Sequence, residues 1–158
     1  MLDDCGKLGS NVSRRQPKRK RALKLIKTLI SDSLQKVFIN NTSRSQVVPI
    51  LATYCDTFLC QLRGLMLYPE LPSHEGLLLV QKRDSCLESA IHMLWMRFDL
   101  AVFWINRSLQ VVDVCLARRW RLVYFPRRPA SYVLEAAVER MTDFQIGEYV
   151  SFSEISLV

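Results

Sequence analysis

From Lys36 onward the apolar residues recur at the short spacing of β-strands. The runs "KVFINN" (36–41) and "QVVPILATY" (46–54) are rich in β-branched residues and separated by the turn composition "TSRS", which predicts two strands. Pro49 falls inside the second run and has no N–H for a ladder, so an edge or bulged strand is expected there. The pattern then turns helical across "DTFLCQLRGLM". Phe58, Leu59 and Leu62 share a face, Asp56 suits the N-cap, and Gly64 suits the C-terminal stop. Pro69 and Pro72 hold the following segment extended, His74-Glu75-Gly76 turns it, and "LLLV" reads as a buried strand. Downstream, "AIHMLWM", "DLAVFWI" and "QVVDVCLA" are strand-like, the last two joined by a hairpin turn at Asn106-Arg107-Ser108. "DLAVFWI" is apolar on both faces, which predicts a central position. "SYVLEA" is another strand, "VERMTDF" a short helix, and "IGEYVSF" a closing strand containing Gly147. The expected fold class is α+β, mainly antiparallel β: a small, partly closed barrel with one or two short helices, plus an N-terminal basic amphipathic helix.

That last element belongs to a different segment. Residues 1–35 read as a basic extension, polar and disordered to about Gln16 and then amphipathic. Ala22, Leu23, Leu25, Ile26, Leu29, Ile30 and Leu34 fall on one half of a helical wheel, with Lys20, Arg21, Lys24 and Lys27 on the other. Such a helix suits its own domain, an anionic membrane surface, a partner groove or, as a weaker option, nucleic acid. Residues 36–158 are the expected folded domain.

Composition changes this picture only slightly. With 158 residues and 49% hydrophobic content, the chain can bury one ordinary core. Its formal charge of +7 is concentrated in the first thirty residues, so no general basic surface is implied. The five cysteines (Cys5, Cys55, Cys60, Cys86, Cys115) show no zinc-type spacing, since Cys55 and Cys60 are C-x4-C. They are expected to be free, reduced thiols, which points to the cytoplasm, with a peripheral place at the inner face of the membrane left open by the basic helix. Metals and cofactors are not expected, including a zinc site assembled with His74 or His92. No stretch reaches the ~20 apolar residues of a membrane span. "ALKLIKTLI" is broken by Lys24 and Lys27, so no signal peptide is expected.

Several stretches taken in order, "CDTFLCQLRGLMLYPELPSHEGLLLV", "FDLAVFWINRSLQVVDV", "PASYVLEA" and "FQIGEYVSF", resemble the domain-of-unknown-function family 192 (DUF192) from about Lys36 to Phe152. The resemblance implies a small β-rich domain without an established enzymatic activity or cofactor. It also marks departures. Where many members have Trp-Met-Lys-Asn-Thr ahead of Pro-Leu-Asp, this chain has "IHMLWMRFD", with His92 near the lysine, Arg97 in place of the proline and Asp99 matching the aspartate.

The candidate ligand-binding residues are Arg63, His92 and Asp99. Arg63, at a helix end and within the resembling motif, can clamp a carboxylate or phosphate. His92 lies in an apolar run, and with Asp99 it forms the only candidate catalytic pair, the start of acid/base chemistry. No nucleophile completes that pair, because Ser85, Cys86 and Ser89 in "KRDSCLES" lack an elbow or a Cys-His signature. No glycine-rich phosphate loop is present either. "ARRWRLVYFPRR" interleaves Arg118, Arg119, Arg121, Arg127 and Arg128 with Trp120, Tyr124 and Phe125, a composition that can stack bases or hold an acidic peptide. The favoured interpretation keeps Trp120 and Phe125 in the core with solvated arginines around them. The expected function is a non-enzymatic binding module for a small anionic ligand or partner. The alternatives are a hydrolase using His92 and Asp99, and attachment to anionic membrane or nucleic acid through the tail.

Overall fold

The computed structural model describes residues 35–154. The basic extension, with Lys20, Arg21, Lys24 and Lys27, lies outside the described residues.

Seven strands form one sheet: β1 (Lys36–Asn41), β2 (Ile50–Cys55), β3 (Glu75–Ser85), β4 (Leu100–Ile105), β5 (Val111–Ala117), β6 (Ala130–Ala136) and β7 (Val150–Glu154), in the order β5-β4-β6-β3-β2-β1-β7. Among the described residues two short helical pieces accompany it, α1 (Phe58–Arg63) and a 3-10 turn at Val138–Arg140. The expectation of a mainly antiparallel β fold holds, but the sheet is mixed and does not close into a barrel. β2 and β3 run parallel, pairing Leu51 with Glu75 through Cys55 with Leu79. The edge strands β5 and β7 form no ladder with each other; an isolated bridge between Gln110 and Tyr149 and a few backbone hydrogen bonds around it, such as Val111 N–H to the Glu148 carbonyl at 2.8 Å, join their ends.

The parallel pair explains the proline-bearing stretch between α1 and β3. Parallel neighbours cannot be joined by a hairpin and need a crossover over one face of the sheet. α1 and the segment 64–74 are that crossover. Pro49 sits immediately before β2, outside the ladder, which lets β2 be an interior strand rather than the expected edge. Gly76 is required where β3 meets β6: a Cβ there would lie 2.9 Å from the Glu135 carbonyl oxygen and 3.0 Å from Ile50 Cγ2.

Both faces of the sheet are packed. β4 is buried along its whole length, as its two apolar faces require. On one face Ile39, Ile50, Leu78, Phe103, Leu134 and Phe144 form a core, with Phe103 and Phe144 edge to face at 5.1 Å. On the other face Leu77, Leu79, Leu100, Val102, Trp104 and Val133 are covered by α1 and by the loops 86–99 and 118–129. "AIHMLWM" is therefore loop, not the expected strand. Ile91 exchanges backbone hydrogen bonds with Tyr124 (3.1 and 2.8 Å) and Met93 with Arg121 and Trp120 (3.0 and 2.9 Å), after which Trp95 turns the chain with φ +61°. Trp104 Nε1 donates to the Ser89 carbonyl at 2.8 Å and pins the first loop to the sheet.

The thiol expectation is overturned at one pair. Cys55, the last residue of β2, and Cys60, on α1, form a disulfide, while Cys86 and Cys115 are free. Five residues apart, the two cysteines are in reach because the helix folds back at its first turn. That turn is capped by Thr57, whose hydroxyl accepts the Cys60 N–H at 3.3 Å, and not by Asp56. The apolar face of α1 points outward: Phe58 and Leu59 are each 75% exposed.

Candidate functional site

Glu135 is an acid where the pattern of the sheet calls for an apolar side chain. On β6 it shares a face with Val133, and its lateral neighbours across the ladders are Leu77 on β3 and Val102 on β4. The residue is 5% exposed, and among the described residues no hydrogen bond or ion pair reaches its carboxyl. Burial alone pushes that carboxyl from an ordinary 4.5 up to about 7.

What the carboxyl faces is a cleft of about 170 Å³. Its walls come from α1 (Phe58, Gln61, Leu62, Arg63), the turn after it (Leu65, Met66), β3 (Leu79, Gln81) and the loop before β4 (Glu88, Ile91, His92, Met93, Met96). Polar side chains fasten the mouth. Gln61 Nε2 donates to the Val80 carbonyl at 2.8 Å and Gln81 Nε2 to Gln61 Oε1 at 3.3 Å, which hold α1 against β3. Glu88 is occupied by Arg83 at 2.6 Å. Arg63 stands exposed at the rim, and no carboxylate among the described residues pairs with it. His92 lines the same cleft, and its Nδ1 is buried without a hydrogen-bond partner. A buried polar nitrogen left unpaired is costly, and a bound molecule is one way of satisfying it.

Two of the three expected ligand-binding residues therefore meet. The third does not. Asp99 Oδ1 accepts the backbone N–H of Arg119 at 2.8 Å, a loop-fastening role, and Asp99 does not line the cleft. The His92–Asp99 pair required for acid/base chemistry is not formed. His74 is exposed, 4.0 Å from Glu75. Among the described residues no three His, Cys, Asp or Glu side chains gather as a metal site would require. Trp120 and Phe125, expected in the core, are both more than half exposed. Glu135 was missed because "SYVLEA" scores as a strand whatever its faces pack against. Its signal was the alternation that puts Glu135 with Val133 in a segment bordered on both sides by buried strands.

With that geometry in hand, comparison with known proteins decides the family. A sequence profile described as an uncharacterized ACR, DUF192, matches residues 39–152. The chain belongs to the DUF192 family. Proteins named UPF0127 are similar to it: one from Thermococcus gammatolerans is 37% identical over 99 residues, covering 61% of this chain and 63% of that protein, and one from Thermococcus kodakarensis is 35% identical over 100 residues, covering 62% of each. The match thus spans less than two thirds of those relatives' length. Among solved structures, a protein of unknown function from Novosphingobium aromaticivorans superposes with a TM-score of 0.62 at 18% identity, covering 75% of this chain and 84% of that one. A Sinorhizobium meliloti protein superposes with a TM-score of 0.65 at 16% identity, covering 76% and 94%. At those identities the likeness concerns the fold alone. The DUF192 profile takes in α1, the cleft and Glu135, and excludes the basic extension. Among the described residues of this DUF192 chain no helix is long and apolar enough to cross a membrane.

Proposed function

We propose that residues 36–158 are a binding module that takes one small anionic molecule into the cleft over Glu135, with Arg63 and His92 as its recognition residues. The observation that carries this is the unpaired His92 Nδ1 and the partnerless Glu135 carboxyl opening on one cleft with a free guanidinium at its rim. A cavity of roughly 150 Å³ accommodates benzene, so the occupant has on the order of ten heavy atoms and is no nucleotide. Arg63 pairs with its carboxylate or phosphate, and His92 and a protonated Glu135 donate to its oxygens. Glu135 replaces Asp99 in the set expected from sequence. The expected cytoplasmic placement drew in part on reduced thiols, a ground that the Cys55–Cys60 bond weakens, and the proposal stands apart from compartment.

The test is a thermal-shift panel of small mono- and dicarboxylates and inorganic phosphate on the full chain, followed by titration of the best binder between pH 5.5 and 8.5. Affinity is expected to fall as pH rises and Glu135 ionises. Arg63→Gln should weaken binding about tenfold or more, the loss of one charge-assisted hydrogen-bonded pair. Glu135→Gln, which keeps a donor, should bind at both ends of the range and flatten the pH dependence. Affinity for these anions that rises with pH would overturn the role given to a protonated Glu135. A panel that moves nothing, or an Arg63→Gln variant that binds as before, overturns the proposal.

A further inference from the structure

Away from the cleft floor, three bulky side chains share one unusual feature. Leu67, Trp95 and Trp120 are non-glycine residues in left-handed backbone, with φ of +64°, +61° and +67°. That region disfavours large L-residues, and such strain persists only where the surroundings impose it. Here they do. The Leu67 N–H donates to the Trp95 carbonyl at 3.4 Å, the Trp120 N–H donates to Met93 at 2.9 Å, and the two indoles meet edge to face at 5.8 Å. Three separate turns are thereby held together, and apart from that indole contact their side chains stand largely in solvent: Leu67 is 70% exposed, Trp95 56% and Trp120 59%. Exposed Leu122 adjoins them in sequence.

On the two tryptophan-bearing loops the exposed charge is basic, while Glu70 stands exposed beyond Leu67. Arg97, Arg118, Arg119 and Arg121 are exposed, and no carboxylate among the described residues forms a salt bridge with any of them. Across 90–99 and 118–129 the single acid is Asp99, already occupied by the Arg119 amide.

We propose that this ledge is an interfacial face for an anionic lipid surface, with Leu67, Trp95 and Trp120 entering the headgroup layer and the neighbouring arginines lying against the phosphates. Tryptophan and leucine set among arginines is the composition of membrane-interface anchors. Loop tips that project singly suit a planar surface better than an extended peptide, which needs a groove or a free strand edge. The arginines supply the complementary charge. This face adjoins the cleft, since Met66 and Met96, the neighbours of Leu67 and Trp95, line it, but it uses other side chains.

The test uses the full chain and its own tryptophans. Of the three, Trp104 is buried at 1% exposure, and the extension contains none, so a change in emission on binding reports Trp95 and Trp120. Vesicles of equal parts phosphatidylglycerol and phosphatidylcholine should shift the emission to the blue, brominated acyl chains should quench it, and added salt should reverse both. Pure phosphatidylcholine vesicles should do far less. Trp95→Asn with Trp120→Asn keeps a residue tolerant of left-handed backbone, so folding is retained. This double variant should lose about tenfold in vesicle partitioning as its apolar tips are removed. Replacing Lys20, Arg21, Lys24 and Lys27 by glutamine measures the contribution of the extension separately. Vesicle binding without a blue shift or quenching overturns the proposal, because Trp95 and Trp120 would then lie outside the headgroup layer. A blue shift produced by an acidic peptide or an oligonucleotide, and not by anionic vesicles, overturns it as well.

Discussion

An ionised carboxylate between Leu77 and Val102 destabilises the sheet, and the direction of its titration follows directly. Glu135 binds its proton more tightly when folded, with a value of about 7, than when unfolded near 4.5. Its contribution is therefore complete below pH 4.5, declines as pH rises through 7, and is flat above. Glu135→Gln should match the parent protein in urea at pH 4.5 and exceed it by about 3 kcal/mol at pH 8, the free energy of roughly 2.5 pKa units. An equal difference at both pH values would show a carboxyl that titrates normally in the fold. Glu148 behaves in the opposite sense. Partial burial pushes its carboxyl up, but hydrogen bonds from Arg44, the Gln145 N–H and Asn41 outweigh that and hold it below its ordinary value. The stability it adds is present above the unfolded value and lost as acid protonates it.

α1 is the least self-sufficient element of the domain. Its six residues bury no side chain fully, and an isolated helix of this length has no stability of its own. Its position depends on Thr57, the Gln61 bond to Val80 and the tie to Cys55. Reducing the disulfide, or replacing both cysteines by serine, should cost about 2 kcal/mol for a loop this short. The same change should also weaken cleft binding, since four cleft residues lie on α1. Comparing melting temperature and ligand affinity with and without reductant checks both. Unchanged affinity in the reduced protein would mean that α1 is held by its hydrogen bonds alone.

Among the described residues the sheet is most deeply covered at β3, β6 and β4 and thinnest at its ends. β4 is flanked by β5 and β6 and packed on both faces, whereas β7 at the sheet edge exposes Ser153 and Glu154. Amide hydrogen exchange should be slowest at Val102, Phe103, Val133 and Leu134, and faster by orders of magnitude along α1 and β7. Uniform protection across all seven strands would indicate a closed, cooperative barrel instead of an open sheet.

Most strands were legible in the sequence, because a strand's alternation and β-branched composition are local properties. "KVFINN", "LLLV", "DLAVFWI", "QVVDVCLA" and "SYVLEA" lie where their composition placed them. "AIHMLWM" failed that test: its apolar residues cover the sheet from a loop, and burial alone looks the same in either conformation. Arg63 and His92 could be named from residue type and surroundings. That they share a cleft, that Asp99 does not line it, and that Glu135 opens on it depend on which strands become neighbours. The parallel β2–β3 pairing, the disulfide it brings within reach, and the unpaired nitrogen of His92 are likewise long-range outcomes. Local sequence determines which segments can extend or coil. Only the tertiary structure decides what each side chain meets, because those partners are dozens of residues away along the chain.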